Sequence, residues 1–221
     1  MRRNGAIWAV AAGLWCAAGC GPAPEKPAPA APAVEAPAAI AVSGERALEE
    51  VRKFVELGPR DSGTPGAERA ATYLRDRLRE LGAEAEIQEF TDLTPVGETT
   101  FRNVLGRIPG MGGKILLLGS HYDTKVGIEG FVGANDSGSS TGLLLELARV
   151  LQSGAPHAME IRFAFFDGEE SRQRYGPNDG FHGSRHLAET MEADGSLANV
   201  AALILLDMVG DRDLTITIPR N

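Results

Sequence analysis

Four short acidic motifs carry the side chains of this sequence that could do chemistry. They are HYD at 121–123, GANDSG at 133–138, GEE at 168–170 and LLD at 205–207. The side chains of interest in them are those of His121, Asp123, Asp136, Glu169, Glu170 and Asp207. One imidazole with several carboxylates is a ligand set for Zn²⁺. If the motifs meet in space, the sequence predicts a site for one or two zinc ions.

Three apolar runs, at 114–120, 161–167 and 200–207, are expected to bring the motifs together. Each run is typical of a fully buried parallel strand and ends at or next to a motif. The carboxyl ends of parallel strands lie at the same edge of an open α/β sheet. Amphipathic helices predicted at 139–151 and 183–193 alternate with the strands. The pattern therefore predicts an α/β fold, a three-layer sandwich with a mixed, mostly parallel sheet flanked by helices.

Further elements are predicted around this region. They are a helix capped by Ser43 and stopped by Gly58-Pro59, a helix from Thr64 to Gly82, strands at 84–90 and 101–108, a hairpin-like turn at 109–113 and a last strand at 213–219. Thr64 and Pro65 have the residue types preferred at the N-cap and at the first position of a helix. These elements would complete one domain.

The HYD and LLD motifs each allow two interpretations. In an extended backbone His121 and Asp123 point to the same side, so the carboxylate could fix the tautomer of a metal-bound imidazole. The alternative is a histidine that only satisfies structural hydrogen bonds. Asp207 ends an apolar run, where an unpaired carboxylate would be costly to bury. It therefore requires either a metal or a hydrogen-bonded partner.

The other two motifs are ambiguous in the same way. Asp136 precedes a predicted helix, so it is either a helix cap or a carboxylate that bridges two metals. Glu169 and Glu170 would face opposite sides of an extended chain. One could then bind metal while the other faces a substrate water, and a solvated acidic loop is the alternative. Their common position at one sheet edge favours the metal site.

The charge balance excludes one broad class of partner. The 221 residues include 30 acidic and 22 basic side chains, which gives a formal net charge of −8. The sequence has no stripe of basic residues, so nucleic acid is not an expected partner.

The start of the chain is typical of an exported bacterial lipoprotein. Residues 1–19 have the basic start and apolar stretch of a signal peptide. The residues AAGC that end at Cys20 resemble a lipobox, which predicts cleavage before Cys20 and lipidation of its thiol. Residues 20–42 form a Pro/Ala-rich linker, and the folded domain spans 43–221. We expect a lipid anchor that attaches the protein to the periplasmic face of the outer membrane.

The order of the motifs resembles that of the zinc aminopeptidase and glutaminyl cyclase family, which shares one zinc exopeptidase fold. The resemblance covers about residues 45–221. Several segments are similar to the cyclase branch, namely TPVGETTFRN, HYDTK, FFDGEE, YGPNDGFHGSRHLA and LLDMVG. The GANDSG motif instead resembles the di-zinc peptidases. The resemblance implies that residues 43–221 are a zinc exopeptidase-like catalytic domain.

The two branches imply different ligand sets. In the aminopeptidase pattern His121, Asp136 and Asp207 would hold one zinc, while Asp136, Glu170 and a late histidine would hold the second. Cyclases of this branch use one zinc, held by Asp136, Glu170 and the late histidine. That histidine and the last strands of the family would follow Asn221. We therefore expect a domain that is truncated and incomplete at its C-terminus.

The resemblance also implies roles for the remaining residues. Glu169 would be the general base, and the Asp136–Ser137 peptide bond would be cis. From its position behind His121, Asp123 is a second candidate catalytic residue. The expected function is that of an aminopeptidase, which hydrolyses the N-terminal bond of a peptide with a free N-terminus. The alternative is a glutaminyl-peptide cyclotransferase that forms N-terminal pyroglutamate. A second alternative is an inactive, truncated binding module.

Overall fold

The computed structural model describes residues 41–216. Within them lie the helices α1 (Gly44–Val55), α2 (Pro65–Glu80), α3 (Ser140–Ser153) and α4 (His182–Ala193), and the strands β1 (Glu84–Thr94), β2 (Gly97–Ile108), β3 (Ile115–His121), β4 (Glu160–Phe166) and β5 (Val200–Leu205). Short helical turns occupy Ala134–Ser139 and Ser196–Asn199. The signal peptide, Cys20 and most of the predicted linker lie outside the described residues, so lipidation and location stay predictions.

The five strands form one mixed sheet in the order β1-β2-β4-β3-β5. β3 pairs in parallel with β4 and with β5, whereas β2 pairs antiparallel with β1 and with β4. The predicted hairpin-like turn at 109–113 is wrong, because β4 separates β2 from β3. This segment instead runs beside 157–158, to which Met111 and Gly112 donate backbone hydrogen bonds. Its glycines and proline indicate a change of direction but not which strands pair.

Strand β4 shows why the central runs have apolar residues facing both sides of the sheet. Its Phe163 and Phe165 pack with Leu78 of α2 in the larger core cluster, which also includes residues of α3. Its Phe166 packs in the second cluster with Leu187 of α4, on the opposite face of the sheet. Helices therefore cover both faces, and the predicted three-layer α/β sandwich is confirmed.

The predicted helix starts are also confirmed. The Ser43 side chain accepts a hydrogen bond from the Arg46 N–H at 3.3 Å, and Thr64 accepts one from the Ala67 N–H at 3.4 Å. Both caps satisfy backbone donors that have no partner inside the helix. Pro65 is the first residue of α2, where its missing N–H costs nothing.

Strand β5 departs from the expectation of a fully buried strand. It is parallel to β3 as predicted, but Leu203, Ile204 and Leu205 are 56%, 49% and 61% exposed. Among the described residues it pairs only with β3, so it is an edge strand. The predicted last strand at 213–219 is wrong for 213–216, which are not in a strand. Apolar sequence alone does not reveal whether a strand has neighbours on both sides.

Within residues 41–216, no helix is both long enough and apolar enough to cross a membrane.

We expect the packing of α2 on the sheet to dominate the stability of this domain. Leu78 is fully buried in the larger cluster, so Leu78→Ala should lower the free energy of unfolding by about 2–5 kcal/mol. Leu48 of α1 is 49% exposed, and Leu48→Ala should change it by less than about 0.5 kcal/mol. Urea unfolding of the two variants measures both values, and equal losses would contradict this core.

Candidate metal centre

Three of the predicted site residues come together at the carboxyl edge of the sheet. His121 ends β3, Asp136 lies in the turn before α3, and Asp207 follows β5. One ligand atom from each lies within 4.8 Å of the others. The His121 Nε2 is 2.9 Å from the Asp136 Oδ1 and 3.7 Å from the Asp207 Oδ1. The expected cis peptide is present between Asp136 and Ser137.

The electrostatics of this cluster fit a divalent cation. Burial of the His121 imidazole favours its neutral form, but hydrogen bonds with the three surrounding aspartates outweigh burial and raise its pKa to about 12. The hydrogen bond from His121 in turn lowers the pKa of Asp136. The aspartates thus stabilise a positive charge on the ring. One nitrogen and two carboxylate oxygens are also donors that Zn²⁺ prefers.

Asp123 lies behind His121 and contacts several residues of the site. It is buried, and its Oδ1 lies 3.3 Å from the His121 Nδ1, the nitrogen that faces away from the cluster. It also accepts the backbone N–H groups of Glu169 and Glu170, each at 3.1 Å. One carboxylate therefore orients the imidazole and fixes the turn that bears both glutamates. The sequence predicted only the first of these contacts.

Glu169 has the properties of a general base. Burial raises its pKa to about 7, with further increases from the charges of Asp123 and Glu170, while His121 acts in the opposite direction. The Tyr175 hydroxyl donates to its Oε2 at 3.3 Å. A carboxylate whose pKa lies near neutrality is suited to proton transfer at physiological pH.

Glu170 lies outside the group of three. Its Oε2 accepts from the Tyr175 hydroxyl at 3.2 Å and lies 3.3 Å from the Lys125 ammonium. A metal role for Glu170 stays a prediction that follows from the resemblance. Sequence reasoning assigned no role to Tyr175 or Lys125, although both lie in segments that resemble the cyclase branch.

A second buried acid lies beneath the site. Asp167 accepts the Ser62 hydroxyl at 2.7 Å and the Arg102 N–H at 2.9 Å. Burial raises its pKa to about 7, and the charge of Asp123 adds to the rise. The sequence placed Asp167 only as the end of a strand, because a contact with residues over 60 positions away leaves no local signal.

Known proteins resemble this chain in sequence and in structure. The sequence model of peptidase family M28 matches residues 103–220. A glutaminyl-peptide cyclotransferase of Drosophila melanogaster is 35% identical over 164 residues, which cover 71% of this chain and 46% of that protein. The chain thus spans about half the length of the curated relatives it matches.

Solved structures give a similar result. The crystal structure of an Acidobacteriales bacterium glutaminyl cyclase has a TM-score of 0.76 and 36% sequence identity, over 86% of this chain and 66% of that one. A leucine aminopeptidase precursor from Bacteroides thetaiotaomicron has a TM-score of 0.69 and 27% identity, over 79% of this chain and 65% of that one. Both solved structures therefore share with this chain the mixed α/β fold described above.

Zinc affinity tests which residues hold a metal. Asp136→Asn should weaken binding in every ligand set considered. His121→Ala should weaken zinc binding more than about 100-fold. Even residues that only hydrogen-bond to metal ligands contribute about 10–100-fold to metal affinity. His157→Ala is the control, since His157 contacts the Leu151 carbonyl instead. Competition with a chromophoric chelator measures each affinity.

A different result would change the ligand assignment. Loss of zinc in Glu170→Gln with tight binding in His121→Ala would contradict the group of three and favour the single-zinc set of the cyclases. A wild-type chain that binds less than about one equivalent of zinc at saturation would instead favour the inactive binding module.

Proposed function

Because this chain belongs to peptidase family M28, we propose that it forms the metal-binding part of a glutaminyl-peptide cyclotransferase. Such an enzyme closes the N-terminal glutamine of a peptide into pyroglutamate. The observation that carries the proposal is Glu169, a half-buried carboxylate with a raised pKa beside the metal cluster. The similarity to named glutaminyl cyclases in both sequence and structure supports cyclisation over hydrolysis.

The residues of the cluster fit the cofactor that this chemistry needs. The structure groups Asp136 with His121 and Asp207, whereas the resemblance to the cyclase branch implies Asp136 with Glu170, so Asp136 is common to both ligand sets. Zn²⁺ held there would supply a Lewis acid that polarises the γ-amide carbonyl of the substrate. The acidic character of the site suits a peptide with a free N-terminus, which reacts as its neutral α-amine after releasing one proton to solvent. The proposed partner is therefore a peptide substrate.

The chain itself supplies the proton transfer. Glu169 accepts a proton from the substrate α-amine as that nitrogen attacks the γ-carbonyl carbon. It then returns the proton to the amide nitrogen, which leaves as ammonia when its bond to carbon breaks. A pKa near neutrality suits both transfers. The Tyr175 hydroxyl lies 3.3 Å from Glu169 and 3.2 Å from Glu170, so its one proton can be donated to either carboxylate and helps to keep Glu169 in place.

Aminopeptidase activity is the second candidate. The GANDSG motif and the structural similarity to a leucine aminopeptidase precursor favour it. In this reaction Glu169 would take a proton from water and pass it to the leaving amine. The same residues would therefore serve a different substrate, and only the products separate the two reactions.

Product analysis with matched peptides distinguishes the candidates. With the 221-residue chain and zinc, we expect Gln-peptides to yield ammonia and a pyroglutamyl product. Leu-peptides should stay intact, and release of free leucine would favour the aminopeptidase instead. Glu169→Gln should lower the rate by about 10²–10⁴-fold, because the proton acceptor is lost, while zinc stays bound.

The control for this variant is Glu189→Gln, a change at an exposed position of α4 that should leave the rate unchanged. Full turnover by Glu169→Gln would refute the assignment of Glu169 as the base.

The pH dependence of kcat/KM gives an independent test of Glu169. The base must be deprotonated, so activity should fall as pH drops through the pKa of Glu169. That pKa is about 7 without a bound cation, which would lower it. Tyr175→Phe removes a hydrogen bond that favours the carboxylate, so the acidic limb should move to higher pH. An unchanged limb in this variant would contradict the role of Glu169.

A further inference from the structure

A fully buried arginine lies next to the metal cluster and makes no contact with its carboxylates. Arg60 has no exposed surface, and its guanidinium donates only to backbone carbonyls. Its Nε donates to the Tyr122 carbonyl at 2.8 Å, and its Nη1 donates to the carbonyls of Val132 at 2.9 Å and Gly58 at 3.1 Å. Its Nη2 donates to the Gly133 carbonyl at 3.4 Å. The guanidinium thus binds three separate segments of the chain.

This arrangement is costly for a cation. No carboxylate among residues 41–216 lies within ion-pair distance of Arg60, and burial lowers its pKa to about 10. The charge of Asp123 offsets only part of the burial effect. The guanidinium carbon lies 4.4 Å from the centre of the Phe54 ring, a cation–π contact. Because a buried charge needs partners, the carbonyl contacts must hold this side chain in one geometry.

Three of the four bound carbonyls belong to the segments that carry the metal cluster. Tyr122 directly follows His121 at the end of β3. Val132 and Gly133 precede Asp136 in the turn that presents this carboxylate. Arg60 therefore joins the two segments whose side chains meet at 2.9 Å in the cluster.

The turn has little room to adjust on its own. Gly133 has a positive φ of 52°, a conformation that glycine adopts most readily. A Cβ added at Gly133 would lie 2.2 Å from the Asp136 carbonyl oxygen and 3.0 Å from the Arg60 Nη2. The backbone of this turn is therefore packed closely against both the Asp136 carbonyl and the Arg60 guanidinium.

We propose that Arg60 is a positioning residue whose planar guanidinium sets the spacing between the end of β3 and the turn that carries Asp136. The inference rests on the proposed metal site. Lysine carries the same charge but only as a point at the end of a flexible chain, so it cannot reproduce the fixed fork of donors. The geometry, and not the charge alone, is the property that the site needs.

The test compares Arg60→Lys with Arg77→Lys in the 221-residue chain. Arg77 links α1 to α2 through Glu50, with an N–O distance of 2.6 Å, and contacts no segment of the metal cluster. Both variants keep the charge and lose an arginine network. For each, Zn²⁺ and Co²⁺ affinity, the visible spectrum of the Co²⁺ form and the Tm of the metal-free protein are measured.

We expect Arg60→Lys to weaken metal affinity by about 10–100-fold and to change the Co²⁺ spectrum. Arg77→Lys should lower Tm but leave affinity and spectrum unchanged. Equal affinities in the two variants would overturn the inference, because the role of Arg60 would then be stability alone. A wild-type chain that binds neither ion would refute the proposed metal site as well.

Gly133→Ala tests the other side of the same contact and leaves Arg60 in place. It also serves if Arg60→Lys does not accumulate as a folded protein. The added methyl group would meet both the Asp136 carbonyl oxygen and the Arg60 Nη2, so the turn must shift against Arg60 and metal affinity should fall by a similar factor. Wild-type affinity in Gly133→Ala would overturn the inference, because the spacing between Arg60 and this turn would then not control the site.

Discussion

The carboxylate of Asp123 is the point on which the site depends. It is almost completely buried, and it holds the imidazole of His121 on one side and the backbone of Glu169 and Glu170 on the other. Its second oxygen also lies 3.4 Å from the Ser62 hydroxyl. Two backbone N–H groups donate to Asp123 and the His121 ring lies beside it, so its charge is compensated without contact with solvent. One anion thus positions both the proposed metal ligand His121 and the proposed base Glu169.

Most of the fold could be predicted because its elements have strong local patterns. The apolar runs of β3 and β4, the amphipathic stripe of α3 and the cap at Thr64 all depend on residues a few positions apart. The insertion of β4 between β2 and β3 depends on pairing across the sheet, which leaves no such pattern. The exposure of β5 escaped prediction for a related reason, since burial is set by neighbours and not by the strand itself.

Some contacts of the site could likewise be predicted from the sequence, and others could not. Parallel strands deliver their carboxyl ends to one edge, so the approach of His121 to Asp136 and Asp207 followed from topology. Tyr175 reaches Glu169 and Glu170 from a loop, and these contacts depend on a fold that only the three-dimensional structure defines. Arg60 is harder still to predict, because an arginine in a turn is usually solvated. Its contacts with carbonyls over 60 residues away have no counterpart in sequence spacing.

Asp207 lies at the end of the least supported strand of the sheet. Its backbone neighbour Leu206 donates a hydrogen bond to the Gly119 carbonyl at 2.8 Å, while the outer side of β5 is open among the described residues. A cation that binds Asp207 only when β5 is docked adds its binding free energy to the docking equilibrium. Loading the site would therefore slow amide hydrogen exchange along Leu203–Leu206, and fraying of this strand would in turn promote release of the ion.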